Sequence, residues 1–278
     1  MLQHGSSPYI RGMPYRSILS LAALAVCFAA HAALAQPGDF VPVRPNFSTV
    51  IMAGGGGGLV AFDNGAFSRR LQSFRAYTDA GDQRVYTTQA FPTAGMTLDG
   101  HVGVILDGRW MIGASGQTLT FPEVRSINGA STPHDSYALT GGGGGGDLGL
   151  ALHASEEALL YVFASGGLYG YSLDYTNRQE DSIPFFEGTP VAPNTTARYT
   201  GSAARLGLGI GLVRPLVLWG SGDTRTAPTL AARLTWGTMI SRPRWVDSDG
   251  VEVNNGGLTP AYNGVALSVQ IGGLVGFK

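Results

Sequence analysis

The residues that could do chemistry are few, and the most suggestive of them stand next to one another. His134, Asp135 and Ser136 are the three residue types of a hydrolase triad. A triad needs the nucleophile, the base and the orienting acid stacked in that order. Contiguous residues cannot place their side chains in this way. We therefore interpret the tripeptide as a coincidence of composition and predict no catalytic residue.

A metal or phosphate site has equally little support. His153, Glu156 and Glu157 could ligate a metal ion, but they fall in a predicted exposed turn with no fourth ligand, where charged residues need no metal. The glycine runs at 54–58 and 141–146 are not followed by the Gly-Lys-Ser/Thr of a phosphate-binding loop. We predict no metal and no cofactor.

The N-terminus has the pattern of a secretory signal. Arg11 and Arg16 precede a mainly apolar run, Ile18 to Leu34, which ends in Ala33-Leu34-Ala35. This pattern predicts a signal peptide at 1–35, cleaved before Gln36, and a single mature domain at 36–278. A retained membrane helix is the alternative for the apolar run. Lipidation of Cys27 would need a small residue before it, where Val26 stands.

Charge and cysteine content exclude further classes of protein. The chain has a formal net charge of −1, and loss of the two signal arginines makes it more negative. A nucleic-acid binder needs the opposite balance. Cys27 is the only cysteine, so the mature protein has no disulfide framework and no thiol chemistry.

Long stretches of the remaining chain alternate with period two, which predicts β-strands. At the C-terminus one row is apolar and the other, from Gly264 to Gly272, is small or polar; the apolar row is Val265, Leu267, Val269, Ile271, Gly273, Val275 and Phe277. The same division recurs at 198–212 and 229–241, where Arg205 and Arg233 fall on the less apolar rows. Soluble sandwiches also alternate. These runs, however, are about twice the usual strand length of about six residues, and their less apolar rows are small rather than charged.

Eight such segments follow one another, near 47–62, 98–106, 109–121, 136–152, 158–175, 197–212, 228–242 and 262–277. Long connections alternate with short ones, and Asp107-Gly108 suits a tight type I′ hairpin. The segment 213–227 is the exception, because it is too apolar for a simple turn. An even strand number with long loops on one side is typical of outer-membrane barrels.

In this layout the chain resembles the small eight-stranded outer-membrane barrels, such as the transmembrane domain of the outer membrane protein A family. The last strand, Val265 to Phe277, looks like the C-terminal signal read by the barrel-assembly machinery, although Lys278 follows the aromatic residue. The resemblance implies an all-β, antiparallel up-and-down transmembrane barrel in the outer membrane of a Gram-negative bacterium. Outer-membrane lipids and the assembly machinery would be its partners.

Two further expectations concern side chains. Asp147, Arg205 and Arg233 should point inward and form hydrogen-bonded pairs that plug the narrow lumen, because unpaired buried charge is costly. Aromatic residues should form two girdles at the membrane interfaces. We expect Tyr137, Tyr175, Tyr199 and Tyr262 at the loop ends and Phe47, Trp110, Tyr161 and Phe277 at the turn ends.

The sequence leaves function open between three classes. The leading interpretation is a non-enzymatic barrel for envelope integrity, adhesion or surface recognition through its long loops, whose ligand the sequence does not identify. A lipid-modifying enzyme would need Ser, His and an acidic residue to converge on the lipid side. A soluble periplasmic ligand-binding barrel is the third class, and it alone would not need detergent for extraction.

The signal peptide gives the first testable prediction. N-terminal sequencing of the protein purified from cell envelopes should begin at Gln36, because signal peptidase cleaves after a small-x-small pattern. A mature protein that retains Cys27 would contradict it.

Overall fold

The computed structural model describes residues 47–62, 87–88, 92–127, 133–178, 182–184, 190–220, 222–241, 243–253 and 263–278. The predicted signal peptide lies outside these ranges, so its cleavage stays a prediction. Across the described ranges, no helix has the length and apolarity needed to cross a membrane.

Eight long antiparallel strands form a closed ring. Each pairs with its neighbours along the chain, and the last pairs with the first, from Thr49 opposite Phe277 to Phe62 opposite Gly264. The predicted all-β, eight-stranded up-and-down barrel is therefore confirmed as the fold. The strands are β1 (Thr49–Phe62), β2 (Ala94–Leu106), β3 (Trp110–Thr120), β4 (Pro133–Ala154), β5 (Leu159–Asn177), β6 (Thr195–Pro215), β7 (Thr224–Met239) and β8 (Asn263–Phe277).

Short strands extend the loop end of the barrel. Val124–Ile127 pairs with β4, Thr87–Thr88 with that segment, and Arg244–Val246 with β6. Ile183–Pro184 and Pro190–Val191 form a separate two-stranded ladder. The long connections therefore contain some ordered sheet of their own.

The opposite end of the barrel carries the short turns. Asp107 and Gly108 have φ values of 52° and 59°, as the predicted type I′ hairpin requires. The prediction for 213–227 is wrong in its bounds, since β6 runs to Pro215 and β7 begins at Thr224. Val213 is buried inside the barrel opposite Ala231, so it belongs to the strand, whereas Leu216, Val217 and Trp219 lie in the connection and are exposed.

The interior is filled by two apolar layers with a polar layer between them. The layer near the turns includes Phe47, Met52, Ile105 and Tyr161, and the layer near the loops includes Phe62, Tyr137, Tyr175 and Trp245. Inward glycines on neighbouring strands leave room for several rings: Gly264 lies beneath Phe62, Gly209 beneath Phe163, and Gly211 beneath Tyr161. Eight strands enclose a narrow lumen, and these layers fill most of it.

The two glycine runs mark seams where neighbouring strands approach very closely. A Cβ on Gly56 of β1 would collide with the carbonyl oxygen of Val269 on β8, and one on Gly145 of β4 with that of Gly166 on β5. Two glycines of the other face have ordinary space, since the nearest atom to a Cβ would be 3.5 Å away at Gly55 and 3.8 Å away at Gly146. The backbone of the adjacent strand thus requires glycine at four inward positions, which are Gly56, Gly58, Gly143 and Gly145.

Alanine substitutions at these seams give a matched test. Gly56→Ala and Gly145→Ala should each destabilise the folded barrel by about 1 to 3 kcal/mol, because the new methyl group forces the two strands apart. Gly55→Ala and Gly146→Ala should change stability little. Urea unfolding of the refolded barrel, followed by the gel shift between unheated and boiled samples, measures the difference. Equal effects within each pair would contradict the close approach.

Candidate functional site

The polar layer in the middle of the barrel is the candidate functional site. It lies between the two apolar layers and collects side chains from β2, β3, β4, β6, β7 and β8. Nearly all of them are buried or half-buried, and they are Asp99, His101, Ser115, Gln117, Asp147, Arg205, Arg233, Ser268 and Gln270.

A buried ion pair crosses this layer from β7 to β4. Nη2 of Arg233 donates to Oδ2 of Asp147 at 2.9 Å, and the two side chains are 5% and 1% exposed. Ser115 donates to the other carboxylate oxygen at 3.1 Å, and the guanidinium lies 4.5 Å from the ring centroid of Phe163. The sequence analysis placed both charged residues inward, and the structure joins them as partners.

Arg205 is also inside the barrel, but it faces aromatic rings. Its guanidinium carbon is 5.4 Å from the ring centroid of Phe62 and 5.2 Å from that of Tyr169, within cation–π range. Gly237 on the neighbouring strand leaves space for it, because a Cβ there would overlap the guanidinium. No described carboxylate forms an ion pair with Arg205.

Sequence reasoning missed Asp99, a central residue of the layer. Its Oδ2 accepts hydrogen bonds from Ser268, at 2.7 Å, and from Gln270. The predicted second strand, 98–106, began four residues late but contained Asp99, and the prediction did not assign this residue to the inward row. The signal was available, because Thr97, Asp99 and His101 alternate with an apolar row that contains Met96, Leu98 and Val102.

The outer surface has the opposite character. Large aliphatic side chains face outward along the strands, and Leu98, Leu168 and Ile271 are 67%, 70% and 73% exposed. Other exposed members of this apolar belt are Ile51, Leu59, Met96, Val102, Ile112, Leu148, Leu206, Leu208, Leu230, Trp236 and Val269. At the height of this belt, the charged side chains lie inside the barrel and the outward side chains are mainly apolar.

The predicted aromatic girdles are largely wrong. Five of the eight residues point into the barrel and are buried there, namely Phe47, Tyr137, Tyr161, Tyr175 and Tyr199. They belong to the inward rows, and the prediction considered only their position along each strand. Trp110 and Phe277 do face outward, and Tyr262 lies outside the described residues.

The residues that suggested enzyme or metal chemistry lie at the two ends of β4 and in the turn that follows it. His134, Asp135 and Ser136 follow one another within β4. The imidazole of His153, at the end of the same strand, is 3.0 Å from the hydroxyl of Ser155. Glu156 forms an ion pair with Lys278 at 3.1 Å. Among the described residues, no group of three His, Cys, Asp or Glu side chains is placed to hold a metal.

The last strand has a clear structural role. Val265, Leu267, Val269 and Ile271 line its outward row, and Phe277 ends it opposite Thr49 of β1. This strand closes the ring by pairing with both β1 and β7. Recognition of these residues by an assembly machinery stays a prediction.

The buried ion pair gives a stability prediction with an internal control. Asp147→Asn should destabilise the barrel by about 3 to 5 kcal/mol, because it leaves the Arg233 guanidinium buried without its counter-charge. Asp174→Asn breaks a second Arg–Asp pair, with Arg198 at 2.7 Å, whose side chains are exposed to solvent. That change should have almost no effect on urea unfolding. A loss of stability no larger at Asp147 than at Asp174 would contradict the buried pair.

Comparison with solved structures finds outer-membrane and surface proteins. Neisserial surface protein A has 9% identity and a TM-score of 0.34, over 83% of this chain and 97% of that one. A major outer membrane protein from Thermus thermophilus has 10% identity and a TM-score of 0.38, over 82% and 98%. The outer membrane protein OprG from Pseudomonas aeruginosa has 9% identity and a TM-score of 0.35, over 84% and 98%. No protein-family model and no curated protein sequence matches the chain. With TM-scores this low, the fold assignment rests on the closed ring of eight strands itself.

Proposed function

We propose that this protein is an integral, non-enzymatic barrel of the bacterial outer membrane, with a role in envelope integrity or in recognition at the cell surface. The observation that supports this is the reversed distribution of polarity. Charged side chains lie inside the barrel, and a continuous belt of aliphatic side chains lies outside it. Monomeric soluble proteins rarely expose an apolar surface of this extent, whereas a lipid-facing surface requires one.

The height of the apolar belt fits a lipid bilayer. On β2 the outward row runs from Met96 to Leu106, and on β6 from Ala204 to Leu212. A tilted strand crosses the hydrocarbon core in about 9 to 11 residues. The belt therefore has the length of one membrane crossing.

Polar residues border the belt on both sides. Toward the loops the outward row of β6 changes to Ser202, Thr200 and Arg198, and Asp174 of β5 pairs with that arginine. Toward the turns lie Arg214 and the ion pair of Glu156 with Lys278. Two polar edges around an apolar belt suit the two faces of a membrane and do not suit a soluble periplasmic barrel.

The filled interior supports a structural or surface role over transport. Two apolar layers close the described interior above and below the polar layer. β4, β5 and β6 have 22, 19 and 21 residues, so they extend well past the belt on the loop side. This extension would present the long connections to the exterior. Outer-membrane lipids and the barrel-assembly machinery are the proposed partners of the protein.

Arginine substitutions on the outward row test the membrane location. Leu208→Arg and Val269→Arg should each destabilise the barrel in lipid bilayers by about 2 to 4 kcal/mol if they lie near the midplane, because the charge must be held in hydrocarbon. Thr200→Arg, on the same face of β6 as Leu208 but beyond the belt, should cost no more than about 1 kcal/mol. Urea titration of the barrel in vesicles gives all three values.

Envelope fractionation provides the complementary test. The protein should stay in the membrane pellet through high salt and carbonate and be extracted only with detergent, because the apolar belt needs lipid or detergent around it. Release of folded protein without detergent, together with tolerance of Leu208→Arg, would favour the soluble ligand-binding barrel. A hydrolytic activity of the purified barrel on outer-membrane lipid would favour the enzyme.

A further inference from the structure

A cavity of about 40 Å³ lies at the centre of the polar layer. Side chains from opposite walls of the barrel line it, including Asp99 of β2, Gln117 of β3, Arg205 of β6 and Arg233 of β7. In a ring of eight strands, β2 and β6 are diametrically opposite. The cavity, which we name the central chamber, therefore spans the middle of the lumen.

Four buried polar atoms on these lining residues have no hydrogen-bond partner within the protein. They are Nη2 of Arg205, Nε of Arg233, Nε2 of Gln117 and Oδ1 of Asp99. Buried polar groups are almost always paired with protein or with ordered water, since each unpaired group costs free energy. So many unpartnered atoms around one cavity indicate an occupant that both donates and accepts hydrogen bonds.

The charges of the chamber narrow the choice of occupant. Arg233 has Asp147 as its partner, which leaves the positive charge of Arg205 and the negative charge of Asp99. The side chain of Arg205 is buried, with 6% exposure. No described carboxylate lies within ion-pairing distance of it. The four charges balance, so the layer needs no additional ion. An anion beside Arg205 would also be repelled by Asp99.

We propose that the central chamber binds a cluster of about three water molecules that links the Arg205 guanidinium to the Asp99 carboxylate. A cavity needs at least about 10 to 15 Å³ to hold one water molecule, so this one has room for up to about three, and each water needs two to four polar partners. The unpartnered donors and the carboxylate oxygen supply those partners. The cluster acts as a water-mediated brace between opposite walls of the barrel.

Neighbouring side chains hold the two charged groups of the chamber in place. Apolar layers lie between the chamber and both ends of the described interior. Ser268 and Gln270 hold the other oxygen of Asp99, which fixes the carboxylate against the wall of the chamber. The rings of Phe62 and Tyr169 hold the guanidinium of Arg205 through cation–π contacts. The inference depends on the interior alone and holds whether the barrel lies in a membrane or in water.

A crystal structure of the purified wild-type barrel, grown with bromide as the principal anion, tests the occupant directly. We expect ordered density within hydrogen-bond distance of Nη2 of Arg205 and Oδ1 of Asp99, with no anomalous signal at the bromine edge in the chamber. A bromide peak in the chamber would show that the occupant is an anion, and a chamber without ordered density would show that no water links the two charges. Either result overturns the proposal.

A double-mutant cycle tests whether the waters couple the two charges. Arg205→Met and Asp99→Asn should each raise the unfolding equilibrium constant about tenfold or more, because each leaves one buried charge without its water-bridged counterpart. The double variant should fall short of the product of the two effects by about tenfold. Arg198→Met combined with Asp99→Asn is the control, and these two effects should multiply.

Independent effects of Arg205→Met and Asp99→Asn would contradict the brace. If Arg205→Met does not fold, Arg205→Lys serves in the cycle, since it keeps the charge and shortens the reach. The effect of Arg205→Lys on unfolding should then depend on whether residue 99 is Asp or Asn, and equal effects in both backgrounds would overturn the proposal.

Unfolding of the wild type should be equal in chloride and gluconate of the same ionic strength. A stabilisation specific to chloride would indicate an anion in the chamber.

Discussion

The pairing of the last strand with the first is the constraint on which the rest of the structure depends. Fourteen residue pairs, from Thr49 with Phe277 to Phe62 with Gly264, close the sheet on itself. Closure removes both exposed edges and gives every strand two neighbours, so the backbone groups of the belt are satisfied within the sheet. It also fixes a narrow lumen, most of which is filled by side chains.

That narrow ring accounts for the composition of the chain. The backbones of β1 and β8, and of β4 and β5, come close enough that an inward Cβ at Gly56 or Gly145 would not fit. These two seams lie on opposite sides of the ring. The long glycine runs follow from this geometry at Gly56, Gly58, Gly143 and Gly145, and nothing in the structure requires glycine at Gly55 or Gly146. Elsewhere, single glycines leave space for rings that cross the lumen.

The interior polar layer is a means of tying strands together that do not touch along the sheet. The Arg233–Asp147 pair connects β7 with β4, and the hydrogen bonds of Asp99 to Ser268 and Gln270 connect β2 with β8. Buried polar contacts are not by themselves a large source of stability, because desolvation offsets much of their attraction. They do penalise any register that leaves a charge unpaired. Where the inward rows consist largely of small residues, such contacts help to select one stagger of the strands.

The sequence by itself determined the strand number, the closed all-β fold and the inward position of Asp147, Arg205 and Arg233. All of these follow from period-two alternation and turn chemistry, which are local properties of the chain. Tertiary structure decided which inward residues meet. Asp147 and Arg233 are 86 residues apart, and their contact depends on the stagger of strands on different sides of the ring. The same holds for the hydrogen bonds of Asp99 to Ser268 and Gln270 and for the glycine seams. Local alternation assigns a residue to a face, but only the closed ring sets the height and the partner of each side chain across the lumen.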